Sequence, residues 1–147
     1  RVATYWQPYH ERLERALRSL RHQHGCALLW DAHSIASVVP RLFDGELPEL
    51  NIGTNGGLSC AASAAERVAA VADASPYSYV VNGRFKGGYI TRHYGSPESG
   101  VHAMQLEIAQ RVYLNEASTS FDARKGSRLR DTLRPMLEAF NESCESS

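Results

Sequence analysis

Cys26-Ala-Leu-Leu-Trp30, followed at once by Asp31-Ala-His-Ser34, is the stretch on which the fold turns. Five residues of apolar character in a row, without alternation, suit a strand buried on both faces, as in a sheet covered by helices. The run gives way at Asp31, so a carboxylate, an imidazole and a hydroxyl gather at the strand's carboxyl end. In open α/β sheets that end is where sites collect.

Upstream, Trp6, Tyr9, Leu13, Ala16 or Leu17, and Leu20 recur at steps of three and four, with Glu and Arg between them. This period predicts an amphipathic helix from about Thr4 to Arg21, with Gly25 beyond its end. The chain opens directly into that pattern, with no Met and no leading loop, as a truncated or cleaved chain would. Downstream, residues 35–59 hold Pro40, Pro48, Gly45, Gly53, Gly56 and Gly57 and are expected to be mostly loop. Ala61 to Ala74 predicts a second helix and Tyr77 to Val81 a strand. Asn82-Gly83 and Gly87-Gly88 mark turns around Arg84-Phe85-Lys86. A strand is expected over Gly88 to Tyr94 and another over Val101 to Ile108, where Val101, Ala103, Gln105 and Glu107 share one face. Ser127 to Glu142 has helical spacing, with a kink or restart expected at Pro135, and the tail is polar and expected to fray. Helices alternating with short strands indicate one α/β domain over residues 1–147, a mixed sheet flanked by helices.

Composition narrows the function. Sixteen basic residues balance sixteen acidic ones, so no net field draws nucleic acid or an anionic membrane. No apolar run approaches the roughly 20 residues that cross a bilayer, and no secretion signal is recognisable. The three cysteines, Cys26, Cys60 and Cys144, are too scattered for a disulfide framework or a zinc knuckle. Cys26 is expected to be a small buried thiol, and the cytoplasm is the expected compartment.

Among polar residues, His33 stands at a strand end, where an imidazole is rigidly held. It is either a metal ligand, with Asp31 orienting it, or a hydrogen-bonded structural residue. Glu107 sits between apolar neighbours in Leu106-Glu107-Ile108. A carboxylate buried there needs a compensating partner, which makes it either a general base or half of a salt bridge to arginine. The stretch from Asn82 to Gly95 carries Arg84, Lys86, Arg92 and His93 among glycines. It is either a carboxylate-binding segment or a solvated hairpin. His93 and His102 are proton-shuttle or oxyanion candidates, or simply satisfied groups. No Gly-x-Ser-x-Gly elbow is present, which disfavours serine-hydrolase chemistry.

At residues 29–35, 50–57, 82–95 (Asn-Gly-Arg-Phe-Lys-Gly-Gly-Tyr-Ile-Thr-Arg-His-Tyr-Gly) and 100–110, the sequence resembles the N-formylglutamate amidohydrolases, in the family's order. The resemblance implies a zinc-carboxypeptidase-like fold, present only in part, with this chain as the C-terminal portion. It implies hydrolysis of N-formyl-L-glutamate to formate and L-glutamate, the closing step of one histidine-degradation route. Asp-Ala-His33-Ser34 is similar to a metal-binding His-Ser at a strand end, and Leu106-Glu107-Ile108 to a strand carrying the catalytic Glu. The implied cofactor is a divalent metal, zinc by expectation. Arg84, Arg92, Lys86 and Asn82 would bind the substrate, while Asp31, Ser34, His93 and His102 would support the groups that do the chemistry. The family's other metal ligands belong to a missing N-terminal half, so the isolated chain is expected to be incomplete for catalysis. Two alternatives remain: a deacylase of another N-acyl amino acid, and a non-catalytic truncated binding module.

Overall fold

The computed structural model describes residues 1–144. An exposed π-helical stretch, Val2–Trp6, runs into α1 (Gln7–His24), which ends at Gly25 in the left-handed conformation, φ 77°. Then follow β1 (Ala27–Ile35), β2 (Leu50–Gly53), α2 (Ala62–Asp73), β3 (Tyr79–Val81), α3 (Tyr89–Tyr94) and β4 (Val101–Ala109). A small hairpin of β5 (Leu114–Asn115) and β6 (Ser120–Phe121) precedes α4 (Ala123–Asn141). The main sheet has the order β1-β4-β2-β3. β1 runs parallel to β4, β2 antiparallel to β4, and β3 parallel to β2. The expected mixed sheet flanked by helices is therefore present.

Alternation along the strands sends the two residue parities to opposite faces. On one face Leu50, Ile52, Met104 and Leu106 pack with Val68 of α2 and with Met136 and Phe140 of α4, all buried. Each such side chain contributes roughly 1.5–3 kcal/mol through its removal from water. On the other face Leu17 of α1 and Tyr94 of α3 pack with Ala27, Leu29 and Val101. That second cluster covers the amino-terminal ends of β1 and β4. Asp31, His33, Gln105 and Glu107 follow on the same face of the two strands.

Several expectations are corrected. β1 runs on through Asp31, His33 and Ser34 to Ile35. It is an edge strand among the described residues and half-buried, whereas the interior strand β4 is buried on both faces. Within the expected loop 35–59, Leu50–Gly53 forms β2, wholly buried. Gly88 to Tyr94 is helix rather than strand. Arg92 N donates to Gly88 O and Gly95 N to Thr91 O, and the three-residue step from Thr91 to Tyr94 turns both inward. α4 continues through Pro135, which lies on its exposed side, where water can satisfy the carbonyl that lost its donor. Among the described residues no helix is long and apolar enough to cross a membrane.

The cysteines differ most. The short turn Glu142–Cys144 after α4 returns the chain to the start of β1, and Cys144 forms a disulfide with Cys26 across a sequence separation of 118. The expected free thiol at Cys26 and frayed tail are thus overturned up to residue 144; residues 145–147 lie outside the described part. Spacing along the chain carries no information about a pairing made by tertiary return. Cys60 is the buried thiol, and burial pushes its pKa up to about 11. A loop of this length constrains the unfolded chain by about 4–5 kcal/mol in the chain-entropy account. Urea titration with and without reductant should show a loss of that order on reduction. An unchanged midpoint would mean that the bond contributes nothing to the fold.

Candidate active site

The parallel pairing of β1 with β4 places His33 opposite Glu107 and Asp31 opposite Gln105. Residues opposite one another in a ladder project from the same face. His33 Nε2 lies 2.9 Å from Asp31 Oδ1. An ionised carboxylate only accepts, so Nε2 is the nitrogen that donates, and in the neutral ring Nδ1 is the one left with a lone pair. The side chain of His33 is 48% exposed and that of Asp31 10%, which makes the imidazole accessible and its anchor fixed.

Glu107 is buried, at 7% exposure, on the strand between β1 and β2. Burial pushes its pKa up; His33 opposes that shift and Asp31 adds to it. Among the described residues it makes no ion pair, so the arginine salt bridge weighed from sequence is not formed. On β2, Asn51 stands opposite Glu107 and donates from Nδ2 to the Glu107 and Pro48 carbonyls. Its buried Oδ1 has no hydrogen-bond partner among the described residues.

The glycine-rich segment lies flat against this end of the sheet. A Cβ at Gly53 would stand 2.6 Å from Gly87 N and 2.7 Å from the Lys86 carbonyl carbon, so only glycine admits the loop. Gly88 N donates to Gln105 Oε1 at 2.6 Å, and Asn55 N to Lys86 O at 2.6 Å. Asn82, at φ 54°, accepts at Oδ1 from Thr54 N and Gly56 N and donates from Nδ2 to Thr54 Oγ1. Its amide thus clamps the loop that carries the cations. Arg92 Nη1 donates to Gly87 O at 2.7 Å, and Arg84, Lys86 and Arg92 are all exposed. Among the described residues none of the three has a carboxylate within ion-pair range.

The remaining sequence candidates sit elsewhere. Ser34 belongs to the opposite face, its Oγ 2.6 Å from Tyr113 OH. His102 also faces that side, where Nδ1 accepts from Ala61 N at 3.0 Å at the start of α2, and burial lowers its pKa. His93 stacks on Tyr89 at 4.8 Å between ring centroids. Only Asp31 of the four supporting candidates touches His33. Gln105, which fixes the loop, escaped the sequence reading; its shared parity with Glu107 was the available signal.

Zinc in a catalytic site takes three protein ligands and a water. Among the described residues no group of three or more His, Cys, Asp or Glu is arranged to hold a metal ion. The free Nδ1 of a carboxylate-anchored His33 suits one ligand position, so the residues fit a share of such a site and not a whole one.

The sequence model of the N-formylglutamate amidohydrolases matches residues 1–114. The chain belongs to this family. It is 52% identical over 141 residues to an N-formylglutamate deformylase of Pseudomonas aeruginosa, covering 95% of this chain and 53% of that protein. It is 59% identical over 112 residues to an N-formylglutamate deformylase of Pseudomonas putida, covering 76% and 42%. The crystal structure of N-formylglutamate amidohydrolase from Ralstonia eutropha JMP134 superposes with a TM-score of 0.86 at 20% identity, over 100% of this chain and 54% of that one. At that identity the likeness establishes the amidohydrolase fold alone. The chain spans about half the length of the curated relatives it matches.

Two outcomes follow from the geometry. Gly53→Ala should cost about 1–3 kcal/mol in urea denaturation, the usual scale of overpacking, and should shift the amide resonances of residues 86–88; unchanged resonances would contradict the close approach. A carboxyl whose pKa is raised by folding binds its proton more tightly in the folded state, so stability falls as pH climbs from the unfolded value through the folded one. Glu107→Gln should therefore raise Tm at pH 7 relative to the unaltered chain, with the gain shrinking toward pH 4; a pH-independent difference would contradict the burial account.

Proposed function

We propose that this chain carries one part of a metal-dependent site that hydrolyses N-formyl-L-glutamate to formate and L-glutamate, the reaction for which its relatives are named. The supporting observation is the half-exposed, carboxylate-anchored imidazole of His33 facing the buried Glu107 across β1 and β4. In this reading the sheet is part of a larger zinc-carboxypeptidase-like one. The portion of the family's length that this chain does not span supplies the other ligands, so the isolated chain turns over little substrate.

His33 would hold a divalent ion, zinc by its chemistry, through Nδ1, with Asp31 fixing the ring. What such an ion supplies is polarisation of the formyl oxygen and a more acidic bound water. Glu107, whose raised pKa makes it a better proton acceptor than an exposed carboxylate, takes the proton from the attacking water. The water oxygen bonds to the formyl carbon, the C–N bond breaks, and Glu107 returns the proton to the departing amine. Formate and glutamate result. Arg84, Arg92 and Lys86, which pair with no carboxylate among the described residues, receive the two carboxylates of the substrate. Asn82 holds their loop in place.

The test is a chimera in which the rest of the P. aeruginosa relative completes this chain, assayed for formate release and metal content. His33→Ala should remove both metal and activity. Arg92→Ala should raise KM by about tenfold or more, the scale of a lost charge-assisted contact, with kcat less affected. Full metal content in the first variant would reject the ligand role, and an unchanged KM in variants of all three cations would reject the clamp.

A further inference from the structure

Gln105 is buried, at 5% exposure, on the same face of β4 as Glu107. Asp31 stands opposite it on β1 and Gly53 on β2. The backbone of residues 86–87 lies against Gly53, so Gln105 sits between that segment and Asp31. Its amide has one orientation. Gly88 N donates to Oε1 at 2.6 Å, and an N–H needs an acceptor, so Nε2 is the end turned away from Gly88. Arg92 Nη1 donates to Gly87 O, the oxygen of the same peptide unit, at 2.7 Å. That peptide is held at both ends, and the Gln105 side chain is held with it.

Nε2 carries two N–H groups and has no hydrogen-bond partner among the described residues. Asp31, its neighbour across the ladder, bonds to His33 instead. Buried polar groups are nearly always paired, so an unpaired amide nitrogen beside Glu107 calls for an acceptor from outside the chain. Spacing says which one. Two residues along a strand separate Gln105 from Glu107 by about 6.6 Å. In N-formylglutamate the side-chain carboxyl carbon lies five bonds from the formyl carbon, about 6 Å when extended, whereas the α-carboxyl carbon lies only three bonds away. A formyl group set at Glu107 therefore brings the side-chain carboxylate to Gln105, in the row against which the cationic segment is pressed.

We propose that Gln105 determines specificity, its Nε2 donating to the side-chain carboxylate of the substrate and so favouring glutamate over analogues without that charge. The identity of the ligand rests on the functional reading above; the role of Gln105 is read out separately from it.

In the chimera already described, Gln105→Glu keeps the shape of the side chain and an acceptor for Gly88 N while replacing the donor with a like charge. The ratio of kcat/KM for N-formylglutamate to that for N-formylglutamine should fall about 10- to 100-fold, the scale of a lost charge-assisted hydrogen bond. The change should come mainly through KM for N-formylglutamate, with the Gly88 amide resonance in place. A purely structural role predicts the same loss for both substrates, so an equal loss, or none, overturns the proposal. A second readout needs neither turnover nor substitution. The Gln105 side-chain amide resonances of the unaltered chimera should shift saturably with glutarate and stay put with butyrate, which lacks the second carboxylate. Resonances indifferent to glutarate overturn the proposal. Should the unaltered chimera hydrolyse neither substrate, the functional reading fails and the glutarate titration still decides the role of Gln105. The same titration decides if Gln105→Glu does not fold.

Discussion

The parallel register of β1 against β4 is the constraint on which the site depends. Strand side chains alternate, so a slip of one residue would carry His33 to the face packed by α2 and α4 and leave Glu107 opposite Ala32 or Ser34. The register is held by the two apolar clusters. Met104, Leu106 and Ile108 must face α2 and α4, and Leu29 and Val101 must face α1 and α3. The parity that buries these groups leaves Asp31, His33, Gln105 and Glu107 on the remaining part of one face. The placement of these polar groups is thus a by-product of core packing, at the end of the sheet that the second cluster does not reach.

Burial sets the character of the pair. Glu107 lies on a strand enclosed by neighbours on both sides, and desolvation outweighs the attraction of His33, so its carboxyl holds a proton more tightly than usual. His33 lies on the sheet's rim and stays accessible, steadied by Asp31. The cationic segment is pressed against the same end by close backbone approach at Gly53, by Gln105 and by the Asn82 clamp. Each of these is a short-range steric or hydrogen-bonding restraint. Together they bring loop and strands together with no ion pair to the cations among the described residues.

Sequence alone made much of this legible, for identifiable reasons. The apolar run before Asp31 located the first strand, though not its continuation to Ile35, and the shared parity of Gln105 and Glu107 was visible in the alternation of residues 101–108. Failures came where local pattern is short or silent. Six residues at 89–94 satisfy helix and strand periods about equally, and helix wins because Ile90, Thr91 and Tyr94 find a packing surface on one side. β2 is the four residues Leu50–Gly53, with Pro48 just before it and Gly53 at its end, so these turn-forming residues masked it. The Cys26–Cys144 bond, the edge position of β1 and the placement of His102 behind the sheet are tertiary facts with no local signature.

The central claim is that the imidazole of residue 33 and the carboxyl of residue 107 share one electrostatic environment across the β1–β4 ladder. Carbon-13 NMR titration of the Glu107 carboxyl, in the unaltered chain and in His33→Ala, tests this most directly. The account predicts a midpoint above the ordinary glutamate value of 4.5 in the chain as it stands, moving higher once the opposing influence of His33 is removed. An ordinary midpoint, or one indifferent to the loss of His33, would contradict it.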